Sequence, residues 1–172
     1  TLHLTTEQKK PFNPILGETL QGKLGDADLF LEQTSHHPPV SHFQVFDEHF
    51  VYSGYSEIFA NMGANSVKGG DKGKFNLKIQ GRTISWHVPD IHIEGLLWGD
   101  RNFNWSNTLK IRDETNDLYG EVVFNPDKKT GFFSKGKQET PADTVRGHIW
   151  KVNDWAKFQK NRNAPGVCEV LC

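Results

Sequence analysis

Cysteine is almost missing from this sequence: among 172 residues only Cys168 and Cys172 carry a thiol. No disulfide framework can organise such a fold, and a reducing compartment is expected. A prenylation box is excluded as well, because the fourth residue from the end is Glu169. Excess charge of either sign is also lacking, since 20 Lys and Arg face 21 Asp and Glu for a formal net charge of -1. So weak a field argues against DNA or RNA as partner, and any anion must be recognised locally. No apolar run approaches the roughly 18 residues needed to cross a bilayer, and the mean hydropathy is -0.61. The first residues, Thr1 to Thr6, have no charged or apolar leader region, so no secretory signal is expected. The missing initiator Met suggests a fragment or a processed chain. Repeats, heptads and low-complexity tracts are absent, and even composition suggests one domain over residues 1–172.

Signatures of catalysis are scarce. There is no Gly-x-Ser-x-Gly elbow, no His-Glu-x-x-His and no Cys-x-x-Cys, so neither acyl transfer nor a zinc site is expected despite eight histidines. We therefore expect no enzyme, no cofactor and no metal. The run Gly69-Gly70-Asp71-Lys72-Gly73-Lys74 invites a phosphate-loop reading, but Phe75 follows where Ser or Thr is required, and a flexible hairpin loop fits better. His87 and His92, on either side of Pro89, read as strand and turn residues. The sequon Asn104-Trp105-Ser106 reads as chance in a cytosolic protein.

What is present is short, alternating and aromatic. Phe75, Leu77 and Ile79 share one face of a strand, and Ile84, Trp86 and Val88 continue after the turn Gln80-Gly81-Arg82, which together read as a hairpin. Further strands are expected at Leu29–Gln33, Val40–Phe46, Val51–Ile58, Ile91–Trp98, Thr108–Arg112, Leu118–Phe124 and Val145–Val152, with turns at Thr115-Asn116-Asp117 and Asp127 to Gly131. Such regular spacing points to an antiparallel meander, which tends to curl and close so as to remove its edges; beyond about eight strands it encloses room for a ligand. A short helix is expected from Asp154, an N-cap ahead of Trp155 to Lys160. The basic, aromatic segment Lys128 to Lys137 suits either a membrane-touching loop or a solvated turn over buried Phe132 and Phe133.

Two places could hold a phosphate. In Lys10-Pro11-Phe12-Asn13-Pro14 the prolines stiffen the chain, and Lys10 offers a compact cation whose immobilisation costs little there. In Glu32-Gln33-Thr34-Ser35-His36-His37-Pro38-Pro39, Pro38 favours an extended His37, so the adjacent imidazoles cannot both enter one core. Imidazole donates one hydrogen bond when neutral, and a nearby phosphate favours the cation, in which both nitrogens donate. Spacing alone equally permits a solvated Lys9-Lys10 pair and ordinary turn histidines.

The first of these segments, continued to Thr19, resembles the opening block of the oxysterol-binding-protein-related lipid-transfer domains, and the second resembles the fingerprint octapeptide of that family. Val88 to Trp98, with Gly95-Leu96-Leu97-Trp98, and Leu118 to Phe124 resemble it more loosely. The resemblance implies a mainly β fold: an antiparallel, incomplete barrel around a hydrophobic lipid tunnel, with minor helix. It further implies a partial domain lacking the family's N-terminal lid and C-terminal headgroup contacts. Implied too are binding of phosphatidylinositol 4-phosphate and its exchange for a sterol or phosphatidylserine by a monomer in the cytoplasm that touches intracellular membranes transiently. On this resemblance Lys10, His36 and His37 grip the phosphate while the backbone around Phe12 and Asn13 donates to the headgroup. A phosphoinositide-recognising module without transfer activity is the alternative.

Overall fold

A computed structural model describes residues 12–106, 108–124, 144–152 and 168–171. The described residues form thirteen strands: β1 (Thr19–Leu24), β2 (Ala27–His36), β3 (Pro39–Phe46), β4 (Phe50–Met62), β5 (Ser66–Asp71), β6 (Phe75–Ile79), β7 (Arg82–His87), β8 (Asp90–Glu94), β9 (Asn102–Ser106), β10 (Thr108–Asp113), β11 (Leu118–Phe124), β12 (Val145–Lys151) and β13 (Cys168–Leu171). All pairings are antiparallel, and the main path runs β1-β2-β3-β4-β6-β7-β10-β11-β12-β13. Its end strands do not pair with each other, so the sheet is not closed. The expected hairpin is β6–β7, turned by Gln80 and Gly81 at φ of 49° and 74°, the left-handed pair that matches the strand twist. The expected helix from Asp154 and the segment Lys128 to Lys137 lie outside the described residues.

Strands β5 and β6 are two parts of one long partner of β4. Asp71 pairs with Ile58, the Lys72 amide donates to the Glu57 carbonyl (3.0 Å), the Tyr55 amide to the Lys74 carbonyl (3.3 Å), and Phe75 pairs with Gly54. In the same way β8 extends β7 past Val88-Pro89, and β9 leads into β10. The sheet is therefore continuous across a crease at Lys72–Lys74 and Pro89, where proline removes a ladder donor. Gly73 is required there, because a Cβ would sit 1.8 Å from the Tyr55 carbonyl oxygen. His87 Nδ1 also donates to the Gly73 carbonyl across the crease (2.8 Å). This corrects the expected hairpin loop at Gly69–Lys74: Gly69, Gly70 and Asp71 belong to β5, and only the rest is irregular. Asp71 holds the crease by accepting from the Glu57 and Gly73 amides (2.8 Å each) and the Ser56 hydroxyl (2.6 Å).

The expected strand Ile91–Trp98 stops at Glu94, because Gly95 takes a φ of 72° and begins a loop. Strands β1, β5, β9 and β13 were not expected. The sequences of β1, β5 and β9 mix Gly, Lys, Asp and Asn into the alternation, all poor strand formers that sheet pairing has overridden.

Alternation makes the sheet amphipathic. One cross-strand row reads Leu20, Leu31, Phe43, Gly54, Phe75, Trp86, Ile111, Gly120 and Ile149. The neighbouring row on the other face reads Thr19, Glu32, His42 and Tyr55. Phe43, Tyr52, Phe75 and Trp86 form a connected aromatic patch, with Tyr52 and Trp86 stacked at 5.6 Å. All strong contacts between strands are between hydrogen-bonded neighbours. Among the described residues, only Ala27, Val45, Tyr119, Trp150 and Val152 are buried apolar side chains.

Asp113, at the end of β10, is the most heavily bonded side chain of the sheet. Burial alone would raise its pKa, but hydrogen bonds from Asn116, Arg82 and Thr115 outweigh that and hold the carboxyl at about 2. Arg82 donates through Nε (3.1 Å) and through Nη2, Asn116 through Nδ2 (2.8 Å) and its amide, and Thr115 through its amide (3.0 Å). These bonds fasten the Thr115-Asn116-Asp117 turn to the start of β7. A folded pKa below the ordinary carboxylate value stabilises the native state above that value and is lost as pH falls towards 2. Replacing Asp113 with Asn should cost about 2 kcal/mol at neutral pH. Urea unfolding at stepped pH should show the gap between the two proteins closing from pH about 4 down to about 2. A gap independent of pH would exclude the charge as its source.

Candidate functional site

Gln33, not the histidines, anchors the octapeptide. It follows Leu29 and Leu31 in phase on β2 and is only 2% exposed. A buried amide must find partners: its Nε2 donates to the Ser35 carbonyl (2.7 Å) and its Oε1 accepts from the Ser41 hydroxyl on β3. Between Gln33 and Ser35 the register slips, making Thr34 a bulge. Thr34 turns its hydroxyl to the Val40 carbonyl (3.3 Å) and His42 Nδ1 (2.8 Å). Bulges re-aim the side chains that follow them. The signal was visible in the sequence as a polar residue at an apolar phase position.

Beyond the bulge, β2 ends at His36 and β3 begins at Pro39, which pair with each other. His37-Pro38 is the whole connection, with a cis peptide bond, the turn class that places proline third of four. The two strands are thus joined by a tight turn at His37-Pro38. Both imidazoles are exposed, and their rings lie edge to face with centroids 4.5 Å apart. Neither enters a core, and two donors are presented side by side.

The residues just ahead of β1 are brought to the same end of β2. Because β1 runs antiparallel to β2, the residues ahead of Thr19 travel towards His36: the Gly17 amide donates to the Gln33 carbonyl (2.8 Å) and the Gln33 amide to the Glu18 carbonyl (2.9 Å). A turn at Ile15–Glu18, closed by the Glu18 amide to Ile15 carbonyl bond (3.0 Å) and by Glu18 Oε2 on the Ile15 amide (2.9 Å), sets this course. Phe12 and Asn13, just upstream, are exposed. Lys10 lies outside the described residues.

Two recesses lie along the sheet. One, of about 590 Å³, is lined in part by Glu32, His42, Tyr55 and Lys74 and reaches the octapeptide through Glu32, but not through His36 or His37. The other, of about 340 Å³, lies farther along the sheet against Ile84, Ile111, Leu118, Val122, Val145 and Ile149. The polar end and the apolar groove are thus separate parts of one sheet.

A family model described as oxysterol-binding protein matches residues 1–160. The chain belongs to the oxysterol-binding protein family. Oxysterol-binding protein 9 of Dictyostelium discoideum is 40% identical over 178 residues, covering 99% of this chain and 41% of that protein. Oxysterol-binding protein-related protein 3C of Arabidopsis thaliana is 33% identical over 152 residues, covering 87% and 32%. Of solved structures, the Osh3 ORD from Saccharomyces cerevisiae in complex with PI(4)P is 20% identical at a TM-score of 0.63, covering 94% of this chain and 45% of that one. The Osh1 ORD in complex with ergosterol is 24% identical at a TM-score of 0.67, covering 83% and 33%. These likenesses carry the fold: among the described residues, an antiparallel, unclosed sheet of the oxysterol-binding kind. This chain spans about two-fifths of its Dictyostelium relative, in agreement with the expected partial domain.

Because Gln33 holds the bulge that aims the histidine turn, Gln33→Ala strands the Ser41 hydroxyl and opens a void. The expected loss is about 2 kcal/mol of stability, measured as a lower urea midpoint at unchanged slope. An unchanged midpoint would show that the buried amide does not hold the turn.

Proposed function

We propose that this chain binds phosphatidylinositol 4-phosphate by its headgroup and exchanges it for a sterol or phosphatidylserine between membranes. The observation that carries the reading is the pair of exposed, touching imidazoles at His36 and His37, in the octapeptide of an oxysterol-binding family member. In this reading the two rings donate to the phosphate and Lys10 supplies a further cation. The backbone around Phe12 and Asn13 donates to the inositol ring. The apolar face, from Leu31 through Phe75 and Trp86 to Ile149, takes the acyl chains or the sterol. No bond is made or broken, so neither cofactor nor catalytic residue is needed. The chain acts from the cytoplasm as a monomer with peripheral membrane contact; no helix among the described residues is long and apolar enough to cross a membrane.

A second reading, recognition without transfer, draws support from the open apolar face, which leaves a bound lipid uncovered among the described residues. Liposome assays separate the two. Transfer requires the protein to remove labelled phosphoinositide from donor vesicles, whereas sedimentation with vesicles and no removal favours recognition alone. Under either reading, His36→Ala with His37→Ala should weaken phosphoinositide binding at least about tenfold, since charge-assisted hydrogen bonds contribute about 1.5–3 kcal/mol each. Lys10→Gln should flatten its salt dependence. Unchanged binding in both variants contradicts the headgroup assignment.

A further inference from the structure

Beyond the crease, the β4–β5 and β8–β9 connections meet at one tip. Ser66 pairs with Glu94, which sets the turn at residues 63–65 beside the loop at residues 95–101. Asn65 clasps that loop. Its carbonyl accepts from the Gly95 and Leu96 amides (3.0 and 3.3 Å), its Oδ1 from the Leu97 and Trp98 amides (2.7 and 3.2 Å), and its Nδ2 donates to the Trp98 carbonyl (2.8 Å). Gly95 seals the base, because a Cβ there would lie 2.1 Å from the Asp100 carbonyl oxygen. Four consecutive amides are thus satisfied internally, yet the last two of these residues keep their side chains in solvent: Leu97 is 74% and Trp98 62% exposed, and Met62, at the end of β4, is 78% exposed.

We propose that this tip is a membrane-docking wedge that seats Leu97, Trp98 and Met62 in the interfacial layer of a bilayer. Only the choice of a lipid surface as partner rests on the reading of the chain as a lipid carrier. Three observations favour that surface. With the Gly95 to Trp98 amides already bonded, the apolar stretch enters a low-dielectric layer without unmet backbone donors of its own, which would otherwise cost several kcal/mol each. Tryptophan beside leucine gives an apolar body with one polar handle, the chemistry suited to the headgroup boundary. The charges around the tip, Lys68 and Arg101 against Glu94 and Asp100, sum to zero, so no net charge there selects an oppositely charged protein. Position agrees as well. Val40, just past the histidine turn, pairs with Glu57, and Met62 lies farther along the same strand, about 17 Å on at strand spacing. A bilayer met by the tip therefore lies off the end of the sheet that carries His36 and His37.

The test is flotation with vesicles of phosphatidylcholine alone, beside binding of a water-soluble, short-chain phosphoinositide. The protein should float with the vesicles, with less than about twofold change between about 0.05 and about 0.5 M salt. Leu97→Ser with Trp98→Ser should reduce flotation at least about tenfold and leave soluble phosphoinositide binding unchanged. Should the double variant fold poorly by circular dichroism, Met62→Ser alone should lower flotation several-fold. The wedge is overturned if the protein ignores phosphatidylcholine, if salt alone releases it, or if these variants float as well as the parent. It is equally overturned if they only abolish self-association in solution. Failure of the parent to bind the soluble phosphoinositide while still floating would remove the headgroup reading and leave the wedge standing.

Discussion

A sheet whose strands alternate apolar and polar side chains must hide one face, and here no second layer of described residues does so. Leu20, Leu24 and Ile149 remain 55%, 66% and 42% exposed on the apolar side, although each side chain of this kind stabilises by about 1.5–3 kcal/mol when fully buried. The continuous ladder of antiparallel hydrogen bonds supplies order, and the apolar face supplies a surface that gains from being covered by something apolar. In the proposed function a lipid is part of that cover, so cargo and core are the same interaction. Binding of such a ligand would raise stability, with the logarithm of its free concentration once that exceeds the dissociation constant.

The polar side chains that bond the backbone where the ladder bends or turns lie at the strand ends and the crease. At the end of β2, Gln33 and the Thr34 bulge turn the chain so that two imidazoles stand together in solvent. At the crease, Asp71, Gly73 and His87 bond backbone groups that a bent ladder would leave unmet. Asp113 does the same for the β10–β11 turn. The Gln33 and Thr34 bonds tie the end of β2 to β3, so the histidines proposed to face the headgroup sit on a framed turn rather than on a free loop, which lowers the entropy lost on binding.

Much of this was legible beforehand. Alternation marked β3, β6, β7, β10, β11 and β12 to within about two residues, and the family came from two motifs within the first forty residues. Strands such as Ser66–Asp71 were not legible, because Lys68, Gly69 and Gly70 hold strand geometry only through pairing with β4 and β8. The end of β8 was also hidden, since Leu96, Leu97 and Trp98 continue the apolar run while Asn65, some thirty residues earlier, pulls their amides into a loop. In the octapeptide the histidines drew attention by composition, whereas Gln33 was marked only as a polar residue in an apolar phase, and its partners Ser35 and Ser41 came from a bulge that sequence does not announce.

The central claim is that the apolar face and the histidine end belong to one lipid site. Native mass spectrometry of the purified protein tests it most directly. The account predicts a single bound lipid, a phosphoinositide or a sterol. The phosphoinositide form should be selectively depleted when His36 and His37 are replaced by Ala. A protein that carries no lipid, or one whose bound phosphoinositide is untouched by that replacement, would contradict it.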